Sequence, residues 1–199
     1  MGKLELNKKQ KKEALFQTAF HLFTEKGFAK TTISEIANDA GLGKGTFYLY
    51  FRDKYDLRNK LIVHKAAQLF EDAYQELQVK KITDFEEQVM WIMDYFIKRF
   101  RQEHNLLRFI SKNLSWGIFK NTLEQNAPEG SVKLYDYYLS MLKTNNIVCQ
   151  EPELMLFTFI ELVSSTCYNC ILFEQPVSMD KYLPYLHKCI HQIFLAYTT

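Results

Sequence analysis

Apolar residues near the start of the chain recur every three or four positions, the period of a helix with one buried face. Within the segment 8–26 they are Leu15, Phe16, Ala19, Phe20 and Phe23. Asn7 has a side chain that can cap such a helix at its start, and Gly27 can end it. The pattern therefore predicts a first helix of about 19 residues.

Two shorter helices are predicted next, separated by a turn that contains glycine. Thr32 and Glu35 have the spacing of a capping box, and a short apolar pattern follows them up to Gly41. After the turn, Phe47 and Phe51 fall on one face of a third helix. Three helices of about 19, 8 and 8 residues with this turn have the proportions of a helix-turn-helix unit.

The rest of the chain also has helical periodicity. Asp53 is placed to cap a long helix that keeps its phase to Leu77, about 37 Å at 1.5 Å per residue. Five more helices are predicted after it. A capping box of Thr83 and Glu86 begins the first, at 83–100, and the second, at 106–123, has a break near 115–117. The others are predicted at 131–142, 151–173 and 180–196. The sequence thus predicts an all-α protein of about nine helices: a helix-turn-helix domain at 1–55, with its motif at about 32–51, and a larger helical body at 56–199.

Composition agrees with this and excludes several classes. Of the 199 residues 47% are hydrophobic and 24% charged, which is typical of a folded protein, and seven Gly with four Pro are too few for many short strands. The run 154–173 is long enough to span a bilayer, but Glu161 near its middle would cost about 3 kcal/mol there. We expect a buried core helix, no membrane partner, and, without a secretory signal at the start, a cytoplasmic protein.

Charge is divided unevenly along the chain. Residues 1–60 hold 12 Lys/Arg against 7 Asp/Glu, a balance of +5, whereas residues 61–199 hold 13 against 16, a balance of −3. A basic first segment on a mildly acidic body suggests that the first segment meets a polyanion.

Metal and catalytic candidates are weak. Cys167 and Cys170 have redox or zinc spacing, but their neighbours are apolar and buried thiols are the better interpretation. His187 and His191 are one turn apart, yet no third ligand follows on that face. Because no nucleophile elbow, phosphate-binding glycine loop or paired acid motif is present, we expect no enzyme, no metal and no cofactor.

The segment from Thr31 to Lys54 resembles the DNA-binding domain of the TetR family of bacterial transcriptional regulators. The resemblance covers 9–57 without a gap and rests on TTISEIA at 31–37, AGLGKGTFYLYF at 40–51 and Asp53-Lys54. Gly43 departs from the pattern, since the family often has Ser or Thr there. The resemblance implies a dimeric, all-helical protein with an N-terminal DNA-reading domain and a body that binds a small molecule.

The side chains of the motif suit DNA. The N-termini of the two short helices offer free N–H groups to phosphate, and Gly45 lets the backbone approach. Lys44 can donate to guanine or phosphate, and Thr46 can meet a base edge. The predicted DNA-contacting residues are Thr32, Ser34, Lys44, Gly45, Thr46, Tyr48, Tyr50 and Lys54, the last of them at phosphate.

Ligand and dimer surfaces follow from the resemblance and from composition. Residues 61–199 contain 21 aromatic side chains, which suit an apolar pocket. The predicted ligand-binding residues are Trp91, Tyr95, Phe109, Trp116 and Tyr138. The last two helices are apolar on more faces than one core can cover, and the predicted dimer interface comprises Phe157, Tyr168, Tyr182, Tyr185, Leu186, Cys189 and Ile193.

The sequence therefore predicts a ligand-responsive transcriptional repressor. It would bind a pseudo-palindromic operator as a homodimer and leave it when a hydrophobic or aromatic small molecule binds. An activator on the same frame is an alternative, and so is a helical small-molecule-binding bundle that has lost DNA binding. A non-specific nucleoid protein would need positive charge over much more of its surface.

Overall fold

In the computed structural model, which describes residues 2–113 and 134–198, these two ranges contain nine α-helices and no β-strand. The all-α class is thereby confirmed. The chain divides into two compact units, Met1–His64 (unit 1) and Lys65–Thr199 (unit 2). The helices are α1 (Lys3–Glu25), α2 (Ile33–Asp39), α3 (Lys44–Tyr48), α4 (Lys54–Lys80), α5 (Phe85–Gln102), α6 (His104–Asn113), α7 (Leu134–Thr144), α8 (Pro152–Leu172) and α9 (Met179–Tyr197).

Helix α1 starts five residues earlier than the predicted helix. Gly2 is its N-cap, and the Gly2 N–H donates to the carboxylate of Glu5 at 3.0 Å, so the predicted cap at Asn7 is wrong. Residues 3–12 are mostly Lys, Leu, Glu and Gln, which favour helix, so the helix continues backwards through Asn7. It ends as predicted, because Gly27 has a φ of +86° that other residues rarely adopt.

The predicted capping box at the start of α2 is confirmed. The Glu35 N–H donates to the Thr32 hydroxyl at 3.2 Å, and the Thr32 N–H donates to the Glu35 carboxylate at 2.8 Å. Lys26 also binds this carboxylate, at 2.5 Å. The Lys26 ammonium and the two donors of Thr32 lower the pKa of Glu35 to about 2. The start of α2 is therefore fixed to the end of α1.

Unit 2 has its core between α5, α7, α8 and α9. Of the described helices α8 alone is long and apolar enough to cross a membrane, but it packs along α9 and buries Met155, Phe159 and Cys167 in this core. The helix expected to be a buried core helix thus contributes one face to the core, while Leu154 and Phe173 at the ends of the run are exposed. Leu186 and Ile190 of α9 are fully buried beside it.

Several element ends differ from the prediction. The cap of α5 is Asp84, which accepts the Glu87 N–H at 2.9 Å, whereas Thr83 was expected. Helix α9 starts at Met179 and contains Pro184, so the Asp180 carbonyl lacks its helical donor. The predicted break at 115–117, the turn at 126–130 and the cap at Ser131 lie outside the described residues.

Candidate nucleic-acid interface and ligand cavity

Helices α2 and α3 form a tight helix-turn-helix unit. Gly41 has a φ of +69°, and the Leu42 N–H donates to the Ala37 carbonyl at 2.8 Å, which closes the end of α2. Gly43 is the N-cap of α3 and provides no side-chain bond, so the first N–H groups of α3 keep their donors for another partner. Glycine at this position therefore leaves the N-terminus of α3 open.

Two buried phenylalanines determine which side of α3 faces outward. Phe47 is 0% exposed, its ring lies 5.5 Å from that of Phe51, and Phe51 lies 5.3 Å from Phe16 of α1. With this side anchored, the opposite side of α3 points away from the domain. Lys44, Gly45 and Tyr48, which were predicted to contact DNA, are exposed there, whereas Thr46 and Tyr50 are half-buried.

Leu49 is a surface residue that the sequence interpretation missed. It is 80% exposed, more than the neighbouring Tyr48 at 51%. Within the apolar run FYLYF it has the composition of a core residue. The spacing does indicate that Leu49 is exposed. Phe47 and Phe51 share a buried face, and a residue two positions from each lies on the opposite face of a helix.

Thr32 and Ser34 lie at the start of α2, and both are exposed. The Thr32 hydroxyl already donates to Glu35 at 2.9 Å, so its predicted donation to a phosphate competes with the capping box. Ser34 has no such bond among the described residues. Of the two hydroxyls at this end, that of Ser34 is the freer donor.

Lys54 has a different environment from the phosphate-facing one predicted. Its ammonium donates to the carbonyl oxygens of Phe28 at 2.8 Å and Thr31 at 2.7 Å, and it lies 4.4 Å from the centre of the Phe28 ring. The turn between α1 and α2 leaves these carbonyls without helical donors, and the long lysine side chain reaches back to them. The structure thus corrects its role: Lys54 holds this turn against the start of α4.

Unit 2 contains an elongated apolar cavity of about 150 Å³. Along α5 its lining runs from Val89 to Phe100, about 16 Å at the helical rise, and along α8 from Leu156 to Ser164. No charged side chain of the described residues lines it, and although Tyr137, Tyr138 and Ser164 belong to the lining, the surface that faces the cavity is apolar. The lining residues are Ala66, Leu69, Phe70, Val89, Ile92, Met93, Phe96, Phe100, Ile110, Tyr137, Tyr138, Met141, Leu156, Phe159, Ile160, Val163 and Ser164.

The two tyrosines of the cavity are neutral. The Tyr138 hydroxyl donates to the Pro152 carbonyl at 3.0 Å, and burial raises the pKa of Tyr138 far above its usual range. Burial also raises the pKa of Tyr137. The described wall of the cavity therefore offers van der Waals contact, but no charge to neutralise an anion.

The predicted ligand residues differ in their position relative to this cavity. Tyr138 lines the cavity, whereas Trp91, Tyr95 and Phe109 do not belong to its described wall, and Trp116 lies outside the described residues. Trp91 and Tyr95 stack on each other at 5.6 Å, on a different face of α5 from Val89, Phe96 and Phe100. On α6 it is Ile110, one position from Phe109, that lines the cavity. Aromatic character alone did not identify the face.

The predicted dimer residues divide by exposure. Tyr185 and Cys189 are exposed, and four others are half-buried: Phe157, Tyr168, Tyr182 and Ile193. Leu186 must be removed from this set, because it is 0% exposed within a single chain and belongs to the core of unit 2. On α9 it shares a face with Ile190, which packs toward α8.

The histidines and cysteines have structural surroundings. His187 pairs with Asp94 and His191 with Glu86, each at 2.7 Å, so both histidines join α9 to α5. Within the part of the chain that the structure describes, no three metal-ligating side chains come together. Burial raises the pKa of Cys167 to about 12, which keeps this thiol protonated and unreactive.

The anchored α3, the glycine turn and the capped α2 place unit 1 in the class of helix-turn-helix domains. Residues 12–61 match the family described as bacterial regulatory proteins, tetR family. This match confirms the resemblance of the helix-turn-helix domain to that of the TetR family.

Curated relatives carry regulator names. The chain is 53% identical over 45 residues to an uncharacterized HTH-type transcriptional regulator, YerO, of Bacillus subtilis, covering 23% of this chain and 16% of that protein. It is 30% identical over 99 residues, half of each chain, to the fatty acid metabolism regulator protein of the same organism. The matches thus span half or less of these relatives.

Solved structures share the fold over nearly the whole chain. A putative tetR family transcription regulator from Shewanella has a TM-score of 0.67 and 16% identity, covering 95% of this chain and 98% of that one. The transcriptional regulator FadR from Bacillus subtilis, in complex with stearoyl-CoA, has a TM-score of 0.63 and 18% identity, covering 89% and 96%. At these identities the likeness concerns the fold.

Proposed function

We propose that this protein is a ligand-responsive transcriptional repressor that acts in the cytoplasm. It binds a pseudo-palindromic operator as a homodimer through unit 1, and an apolar effector in unit 2 releases it. The observation that carries the proposal is the outward face of α3, where Lys44, Gly45, Tyr48 and Leu49 are exposed on a helix that Phe47 anchors.

The chemistry of this face suits the major groove. Lys44 donates to guanine O6 and N7, and Gly45 brings the backbone close to the DNA. The Leu49 side chain and the ring of Tyr48 offer apolar contact to thymine methyl groups. The N–H groups left open at Gly43 and the Ser34 hydroxyl bind the flanking phosphates.

The cavity of unit 2 supports an effector with an extended alkyl chain. Its wall is apolar along about 16 Å of α5, which suits a linear chain better than a flat ring system. The name of the fatty acid regulator and the stearoyl-CoA bound to FadR point to the same class of ligand. A dry cavity of about 150 Å³ accommodates a molecule such as benzene, so a long acyl chain must widen this one.

Helix α4 is the element through which the effector acts. Its first residues, from Lys54, belong to unit 1, while Ala66, Leu69 and Phe70 line the cavity. A ligand that fits one position of α4 a hundredfold better than another shifts the equilibrium by about 2.7 kcal/mol per site. Because the half-sites fix the spacing of the two α3 helices in a dimer, such a shift weakens operator binding.

Selection of bound duplexes from a random DNA pool tests the DNA-reading role. We expect an enriched palindrome whose half-site centres lie about one helical turn, ~34 Å, or a multiple of it apart. If no sequence is enriched, the alternative of a helical small-molecule-binding bundle that has lost DNA binding is favoured. The effector role is tested by titrating stearoyl-CoA into the free protein and into the operator complex. Linkage requires that the two affinities differ by the factor by which the ligand weakens operator binding, and equal affinities would overturn the proposed switch.

A further inference from the structure

The positive charge of unit 1 is concentrated before its helix-turn-helix. Residues 2–12 hold five lysines against one glutamate, a balance of +4, whereas residues 13–60 hold seven Lys/Arg against six Asp/Glu, a balance of +1. Three of those seven cations already bind groups within the domain. They are Lys26 on Glu35, Lys60 on Asp56, and Lys54 on backbone carbonyls. The helix-turn-helix therefore has little charge of its own with which to attract a polyanion.

The lysines of residues 3–12, here called the N-terminal lysine segment, are displayed on a helix. Every residue of the segment is exposed, and within the described residues Lys8, Lys9 and Lys11 form no ion pair. Lys8, Lys11 and Lys12 are spaced i, i+3 and i+4, so they share one side of α1. Most of the segment precedes residue 12, where the TetR-family match begins.

The end of the N-terminal lysine segment is linked by contacts to the residues that follow α3. The Lys12 ammonium lies 5.5 Å from the centre of the Phe16 ring, and that ring contacts Phe51, which lies three residues after the end of α3. Lys60 donates to the Tyr50 carbonyl at 3.4 Å. Desolvation of its ammonium and the charge of Lys60 lower the pKa of Lys12. Lys8 lies one helical turn, about 5.4 Å, further along α1.

We infer that the N-terminal lysine segment is a second DNA-contacting surface, which binds the phosphates that flank the half-site read by α3. This inference rests on the proposed function and identifies where its salt-dependent affinity originates. A helix inserted in the major groove is bordered by phosphate on both sides, and duplex DNA carries one charge per 1.7 Å. The segment supplies four net charges on the helix whose Phe16 packs against Phe51, whereas residues 13–60 supply one.

An anionic membrane is the competing partner for a basic helix. A membrane-binding helix collects its apolar residues on one face. Leu4 and Leu6 are the exposed large apolar residues of the segment, and their i, i+2 spacing places them on opposite sides of α1. The segment thus has the charge that a polyanion requires without the apolar face that a bilayer requires.

Salt titrations of DNA binding test the inference. The variant carries Lys8→Gln, Lys9→Gln and Lys11→Gln, and the probes are a mixed-sequence duplex and the duplex enriched by selection. A control carries the same change at three exposed lysines of unit 2: Lys80, Lys98 and Lys143. We expect the slope of log K against log[salt] to fall by about 2 to 3 in the variant and affinity at 0.1 M salt to fall at least about tenfold, on both duplexes. The control should keep the wild-type slope.

The outcomes separate this inference from the proposed function. If wild type binds DNA and the variant keeps its slope, the segment does not contact phosphate and the inference is wrong while the proposed function stands. The inference is also wrong if the variant keeps its slope on DNA but loses binding to phosphatidylglycerol vesicles. Wild type that binds neither duplex would overturn the proposed function itself. If the variant unfolds at the same temperature as wild type, its loss of DNA affinity does not come from a loss of folding.

Discussion

The Lys54 ammonium lies 2.7 Å from the carbonyl oxygen of Thr31, a residue 23 positions earlier in the chain. Charge-assisted bonds of this kind contribute about 1.5–3 kcal/mol, and Lys54 donates a second one to Phe28. We expect Lys54→Met to lower the free energy of unfolding by about 2–3 kcal/mol in the absence of DNA. Urea denaturation measures this, with Lys30→Met, at an exposed position, as the control.

The same variant distinguishes two roles for Lys54. A phosphate contact would lower the salt slope of DNA binding by about one without changing stability. A residue that holds the turn between α1 and α2 instead lowers stability and changes the salt slope little. A stable Lys54→Met protein with a reduced slope would restore the phosphate contact predicted from the sequence.

Leu49 should read a thymine methyl group. We expect Leu49→Ala to weaken operator binding by about 1–2 kcal/mol and to relax one base position, because three side-chain carbons that are partly buried against the DNA leave the interface. Substituting uracil for that thymine removes the methyl group from the DNA, so wild type should lose affinity for this duplex and Leu49→Ala should not. Leu195→Ala, an exposed leucine of unit 2, is the matched control. Equal losses on thymine and uracil duplexes would contradict the assignment.

Filling the cavity should separate effector binding from DNA binding. Ile160 lines the cavity and is half-buried, so Ile160→Trp should occupy space that an acyl chain needs. We expect stearoyl-CoA to release wild type from the operator but not this variant, whose operator affinity stays near that of wild type. Trp91→Phe, which alters an aromatic residue outside the described wall, should respond as wild type does. A response lost in Trp91→Phe and kept in Ile160→Trp would place the effector elsewhere.

Two neighbouring residues of α9 should affect different properties. Leu186→Ala removes a fully buried side chain and should cost about 2–5 kcal/mol of stability. Tyr185→Glu, at a position 60% exposed, should leave the fold intact and weaken the proposed dimer. Urea denaturation and sedimentation velocity measure the two effects. A Tyr185→Glu protein that sediments as wild type does would exclude this face of α9 from the interface.

Local signals in the sequence predicted unit 1 well. The Thr32–Glu35 capping box, Gly27 and Gly41 each act within a few residues, so their consequences can be derived without the fold. Adjacent candidates were harder to separate: Thr83 and Asp84 are both good caps, and the structure uses Asp84. In these cases the sequence defines the element but not its exact end.

The faces of the body helices could not be predicted in the same way. Trp91 and Phe96 are both aromatic residues of α5, yet Phe96 lines the cavity and Trp91 stacks on Tyr95. Which face meets the cavity depends on how α5 packs against α4, α7 and α8. Lys54 presents the same difficulty, since the carbonyls that it binds belong to a turn more than 20 positions away. Contacts between distant segments decide these roles.

The uncharged wall of the cavity determines how the protein would discriminate among effectors. Since the described lining residues include no cation to bind a head group, they would contribute affinity through methylene groups, each adding about 0.8 kcal/mol, or roughly a fourfold gain per carbon. That gain would end once the alkyl chain is longer than the lining along α5, which runs from Val89 to Phe100. This wall would then select an effector by the length of its alkyl chain.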